Sequence, residues 1–325
     1  MLLPVKIAST GIYRPQNTQD AADYDRAQNW PDGTSENMGG VKSRQKANEM
    51  ETVSMMGAEA LLAAADGNLH RIDRLVCTSI IPEQPIPTTA ALIAKRLGMQ
   101  SGIAAYDVNA SCIGYLLAIE ATATAMACGL SKCAAIVAVE RATLGLDEND
   151  KATAFLFGDG AASTILTPSN GESGILAIKS ILYPQGAELC EIRAGGSRWN
   201  VMNPPPSPKD YLFRMERHSL AKLAMNRLPG FMESVINDAG VTLSDISCII
   251  PHQASSLGLK FLRKWLDSRG PAMVDIICDH GNQVTVSLPT ALGHAIQHGM
   301  LKRGDLGMMV GTAAGFGMGC MIFRY

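Results

Sequence analysis

Two stretches, AAADGNLHRIDRLVCTSIIP (63–82) and VINDAGVTLSDISCIIP (235–251), decide the fold. Each reads as a helix end, a glycine, a polar turn, an aspartate and an apolar strand closing on Ile-Ile-Pro. They lie half a chain apart, which predicts a duplicated α/β unit of about 160 residues. Working outward, VKIASTGIY (5–13), RLVCTSII (74–81), IAAYDVNA (103–110), AAIVAVE (134–140) and TAFLFGDGAASTILTP (153–168) read as strands. TVSMMGAEALLAAAD (52–66), TTAALIAKRLG (88–98) and CIGYLLAIEATATAMAC (112–128) read as helices between them, and the polar stretch around Pro31, Gly33, Gly39 and Gly40 as loop. The second half repeats the scheme with strands at 174–184, 245–251 and 307–325 and helices at 217–240, 254–270 and 286–304. The segment down to Lys209, with PPPSP (204–208), reads as a stiff surface insertion. Continuous apolar strands alternating with helices imply α/β sheets covered on both faces. The expected halves are 1–170 and 171–325. If they pair around a pseudo-twofold axis, equivalent strand ends meet at the centre, and a site there takes residues from both.

Composition narrows the function. The 325 residues are 47% apolar and 18% charged, enough for a large core. A net charge of −2 provides no overall field for nucleic acid or an anionic membrane, and aromatics at 5% leave few stacking platforms. Eight cysteines form no CxxC pair and sit mostly in apolar runs, which reads as reduced thiols in a cytoplasmic protein without a zinc site. Neither a signal peptide nor a membrane span is expected.

Cys112 stands out because it follows a strand and opens a helix, where free N–H groups favour thiolate. His252, in CIIPHQAS, sits where a strand ends and a helix begins, the usual place for functional groups in α/β sheets. Asn282 lies in the turn DHGNQVTVS. The glycines of VGTAAGFGMG (310–319) lead into a strand and not a helix, so they bring backbone N–H groups close to a site and do not bind a nucleotide. His294 and His298 lack the glutamate of a zinc-protease helix and read as surface or packing residues. The chain order Cys, His, Asn fits two chemistries, a papain-like protease and a thiolase-type condensing enzyme. The duplicated α/β pattern favours the second.

At these residues the chain resembles the β-ketoacyl-acyl-carrier-protein synthase III family, initiating condensing enzymes of type II fatty acid synthesis. GVKSRQKANEMETVSMMGAEA, YDVNASCIGYLLAIE, FGDGAAS, IIPHQAS and HGNQVTVSLP carry the resemblance in order and spacing. It implies a thiolase-like, duplicated, five-layered αβαβα fold and a homodimer that meets acyl carrier protein. It makes Cys112 the nucleophile, His252 and Asn282 the decarboxylation pair, and the N–H groups of Cys112 and Ala314 the oxyanion site. No cofactor or metal is implied; the substrates are acyl and malonyl thioesters of carrier protein or coenzyme A. The alternatives are a non-decarboxylating acyltransferase of the same superfamily and a silent partner subunit. Departures from the family pattern are informative. Met38 and Leu144 stand where the family has arginines against coenzyme A, with Arg14, Lys42, Arg44 and Arg141 as nearby replacements. Ile86 stands where a bulky phenylalanine reaches the partner's acyl pocket, which points to a longer or branched acyl chain. Lys222, Lys260, Arg263 and Lys264, with Arg217 nearby, are the expected carrier-protein docking residues.

Overall fold

The computed structural model describes residues 3–99, 102–169, 171–267 and 270–325. Five strands form a first sheet: β1 (Val5–Tyr13), β2 (Arg74–Thr78), β3 (Ala104–Val108), β4 (Ala134–Glu140) and β5 (Gly160–Pro168), in spatial order β1-β5-β4-β2-β3. Five more form a second: β6 (Gly174–Leu182), β7 (Ile246–Pro251), β8 (Ala272–Met273), β9 (Leu306–Ala313) and β10 (Gly317–Arg324), in order β6-β10-β9-β7-β8. The two orders are identical under a shift of five strands. So are the directions, antiparallel across the first two pairs and parallel across the last two. The duplication expected from sequence is therefore present in the topology.

Six helices complete the layers: α1 (Val53–Ala65), α2 (Thr89–Arg96), α3 (Gly114–Ala127), α4 (Arg217–Asp238), α5 (Ser256–Leu266) and α6 (Ser287–Gln297). α3 and α6 fill the middle layer and each touches strands of both sheets. Their sequences explain this: Tyr115, Leu116, Ala118, Ile119 and Ala123 of α3, and Leu288, Ala291, Leu292 and Ala295 of α6, are all buried. A helix apolar around its circumference has nowhere to go but between layers. Each fully buried Leu or Ile contributes about 1.5–3 kcal/mol. α1 and α2 cover the outer face of the first sheet, and α4 and α5 that of the second, giving five layers, αβαβα. Thr52, Thr88 and Ser255 cap α1, α2 and α5 by accepting from Met55, Ala91 and Gly258 N–H. α3 has no cap of its own. Its Tyr115 N–H donates to Thr285 Oγ1 at 3.1 Å, so a residue of the second half closes the helix of the first.

Several sequence expectations need correction. The Ile-Ile-Pro match is out of register: β7 includes Pro251, whereas β2 ends at Thr78 and Ile80–Pro82 lie beyond it. The run 153–168 is not one strand. Phe155, Leu156 and Phe157 are buried in turns, where strand and buried-loop patterns cannot be told apart, and β5 begins only at Gly160. The polar stretch before α1 is not all loop: Asn17–Asp20 pairs with Ser43–Lys46, and short helices span Ala21–Ala27 and Thr34–Gly39. The helix expected over 254–270 ends at Leu266, and positions 268 and 269 lie outside the described residues. No helix among the described residues is long and apolar enough to cross a membrane.

Candidate active site

Cys112 sits in a single 3-10 turn, Ser111–Ile113, between β3 and α3. Ser111 is held at φ +51°, a left-handed conformation that costs a non-glycine residue about 1–3 kcal/mol. Asn109 steadies it, its Oδ1 accepting the Ser111 N–H at 3.0 Å. The thiol faces two backbone donors, the N–H of Ala314 and its own. These are the two groups expected to form the oxyanion site. The expected thiolate is not the resting state. Burial pushes the thiol up to about 12, with Cys190 and Glu140 adding to the rise against the two N–H groups. α3 begins two residues after Cys112, so desolvation outweighs the helix end.

His252 leaves the end of β7 with its N–H donating to Val310 O at 2.8 Å. Its ring is buried, Nδ1 has no partner among the described residues, and desolvation lowers it to about 4, so it is neutral at physiological pH. Gly311 of β9 must lack a side chain here, since a Cβ would lie 2.9 Å from His252 Cβ. Gln253 locks the segment behind the imidazole. Its amide donates to Pro251 O and Val274 O, its Oε1 accepts from Ile276 N–H, and its backbone N–H donates to Ser287 Oγ. Asn282 is oriented as firmly. Its Oδ1 accepts the Val284 N–H at 2.8 Å, which turns Nδ2 outward, where one hydrogen reaches Ala254 O at 3.3 Å. Its backbone bridges to the buried 155–158 turn through Leu156 O and Gly158 N–H. Val284 and Phe316 are also held at positive φ, +53° each, so three strained non-glycine residues ring the site.

Cys112, His252, Asn282 and Ala314 open onto one cavity of about 1100 Å³. Two family profiles, both described as 3-oxoacyl-acyl-carrier-protein synthase III, match residues 106–184 and 236–325. A synthase III of Neisseria gonorrhoeae is 30% identical over 98% of this chain and 99% of its own length. The chain belongs to the 3-oxoacyl-acyl-carrier-protein synthase III family. The crystal structure of the Aquifex aeolicus synthase III superposes with a TM-score of 0.88 at 28% identity, covering 99% of this chain and all of the other. A priming β-ketosynthase of the R1128 polyketide pathway, at 23% identity and a TM-score of 0.89, shares the fold. The thiolase-like, five-layered architecture expected from sequence is thus the fold of this chain.

The remaining expected residues scatter around this cavity. Leu144 lines it, and Met38 lies nearby, 38% exposed. Three of the four expected replacements are engaged elsewhere. Arg14 donates to Gln45 Oε1 and Asp279 O, and Lys42 faces Glu36 at 3.8 Å. Arg44 is buried under the carbonyls of Ala154 and Phe157, whereas Arg141 lies in the field of the Asp159 and Glu51 carboxylates and its buried Nε has no hydrogen-bond partner among the described residues. Arg217 lines the cavity, and its Nη2 donates to Met38 O at 3.0 Å. Ile86 is outside the chain's own cavity and 85% exposed, while Ile80, Ile81 and Pro82 from the same loop do line it. The buried Glu140 pins that loop by accepting from Ile80 N–H at 2.9 Å and Ser79 Oγ at 3.3 Å. Lys222, Lys260 and Lys264 are exposed; Arg263 is paired with Asp275 at 3.2 Å. Leu257, Gly258 and Phe261 of α5 line the cavity mouth beside this basic face.

The insertion is only partly a surface feature. Its tip, with Val201 and Met202 above 90% exposed, is at the surface, but its stems, Cys190–Glu191 paired with Arg214–Met215, wall the cavity. Cys190, Ile192 and Ala194, and Tyr211, Phe213 and Met215, alternate along the two stems and line the cavity, joined there by Glu191. That period-2 pattern was the available signal. The proline run between the stems obscured it.

Proposed function

We propose that the chain joins an acyl thioester to a malonyl thioester borne by acyl carrier protein, with loss of CO₂. The supporting observation is the convergence of the Cys112 thiol, the Ala314 N–H, the neutral His252 ring and the outward Asn282 amide on one cavity. In the first half-reaction the sulfur of Cys112 attacks the donor carbonyl and the carrier thiol leaves with the proton. The oxyanion forms against the N–H groups of Cys112 and Ala314. In the second, the malonyl carboxylate departs as CO₂ and its electron pair becomes an enolate. His252 and Asn282 each donate an N–H to the enolate oxygen. The enolate carbon attacks the acyl-cysteine, the 3-oxoacyl thioester leaves, and Cys112 takes up a proton. Burial serves this chemistry: an imidazole kept neutral and an amide that never titrates stabilise an enolate without competing for its proton.

The active form is proposed as a homodimer in which the exposed Ile86 loop meets the partner's cavity. Carrier protein would dock on the exposed Lys222, Lys260 and Lys264 beside the mouth. A mostly apolar cavity of about 1100 Å³ and the small Ile86 suit a donor longer than acetyl. The test is a panel of acyl thioesters of graded length, on coenzyme A and on carrier protein, read as the intact-mass adduct on Cys112. Release of CO₂ from carrier-bound malonate is measured in parallel. Adducts with malonate-dependent CO₂ release are expected. Adducts without it favour simple acyl transfer, and no adduct across the panel rejects the reading.

A further inference from the structure

We propose that Arg217 is the phosphate-reading residue of this site, binding the phosphate at the end of a pantetheine arm; this rests on the condensing reading above. Among the described residues, Arg217 is the only lysine or arginine that lines the cavity. The one carboxylate among the described lining residues, Glu191, is already paired with Arg193 and Arg214 in the stem ribbon. Among the described residues no carboxylate lies within ion-pair distance of Arg217, and its one hydrogen bond is from Nη2 to the Met38 carbonyl. That bond fixes the guanidinium between the start of α4 and the helix Thr34–Gly39, and leaves its other N–H groups for a ligand. The nearby wall also carries His218, the next residue of α4, and is otherwise apolar, with Leu144, Leu220, Ala221, Ala224 and Met225. A guanidinium without a carboxylate partner in such a wall is matched by one anion with several acceptor oxygens, and a phosphate fits a planar fork of donors. Acyl groups on carrier protein and on coenzyme A share such a phosphate, one pantetheine length from the thioester sulfur. Arg217 thus takes over a contact that Met38 and Leu144 cannot make.

Binding is measured by isothermal titration calorimetry with free phosphopantetheine and pantetheine, so that no turnover is needed. Failure of condensation would therefore show separately, as missing CO₂ release. The intact chain is expected to bind phosphopantetheine about tenfold more tightly than pantetheine, the size of one charge-assisted hydrogen bond. In Arg217→Gln that ratio should fall to about one, and Arg217→Lys should retain part of it. Coenzyme A as a third ligand, and KM for carrier-bound malonate as a fourth readout, should lose the same factor in Arg217→Gln. No phosphate preference in the intact chain, or an undiminished one in Arg217→Gln, overturns the assignment. A loss confined to coenzyme A also overturns it, because it would place the guanidinium on the nucleotide.

Discussion

The turn before α3 and the turn before α6 are built alike. Each is a single 3-10 turn that follows the third strand of its half, and each contains one non-glycine residue at positive φ, Ser111 at +51° and Val284 at +53°. The first carries a thiol and the second, immediately behind Asn282, an amide. The turns are also braced differently. The first leans on the second half, through Thr285 Oγ1 and the Ala314 N–H. The second leans on the first half, through Leu156 O and Gly158 N–H. Duplication supplied two equivalent strained platforms at the centre. In the proposed reaction they divide the work, nucleophile on one side and electrophilic assistance on the other, each held by the opposite half.

If that division is correct, the variants should separate loading from condensation. Cys112→Ala should abolish the acyl adduct in intact-mass spectra while the fold survives, since a small side chain is exchanged for another. A persisting adduct would move the nucleophile to a different thiol. His252→Ala and Asn282→Ala should cut CO₂ release by about 10²–10³-fold and slow loading far less, because both act on the malonyl carbonyl. Impaired loading with normal decarboxylation would reverse the roles of the two turns. Gly281→Ala probes the platform itself. Gly281 has φ +66° and ψ −173°, and a Cβ there would lie 2.9 Å from Leu156 O. The substitution should cost about 1–3 kcal/mol in urea unfolding and displace Asn282, so condensation should suffer while loading persists; equal losses would show that the turns are not independent. The smallest effect belongs to docking. Reversing the charges of Arg263 and Lys264 should raise KM for carrier-bound malonate about two- to fivefold, because Arg263 is already paired with Asp275. Kinetics unchanged across ionic strength would remove this face from the docking surface.

Much of this arrangement is legible in the chain. Strand–helix alternation follows from local periodicity, and the family runs around Cys112, His252 and Asn282 survive in order. Their environment was harder to read. The helix-end argument for a Cys112 thiolate used one local effect, whereas the titration of that thiol is set chiefly by desolvation among residues from both halves of the chain. The Ile-Ile-Pro similarity suggested the right duplication from the wrong register, because strand ends are decided by neighbouring strands. The stems at 190–196 and 211–215 are cavity wall, and only their packing against the site distinguishes them from any exposed ribbon.

By itself the sequence determined the secondary-structure alternation, the duplication, the apolar helices destined for the middle layer and the family runs that carry Cys112, His252 and Asn282. These depend on spacing and residue type, which are local properties of the chain. Only the tertiary structure decided that Thr285 caps α3, that burial holds the His252 ring neutral and the Cys112 thiol protonated, and that Arg217 lines the cavity and donates to the Met38 carbonyl. Those outcomes depend on desolvation and on contacts between residues far apart in the chain, and neither is encoded in any single stretch of it.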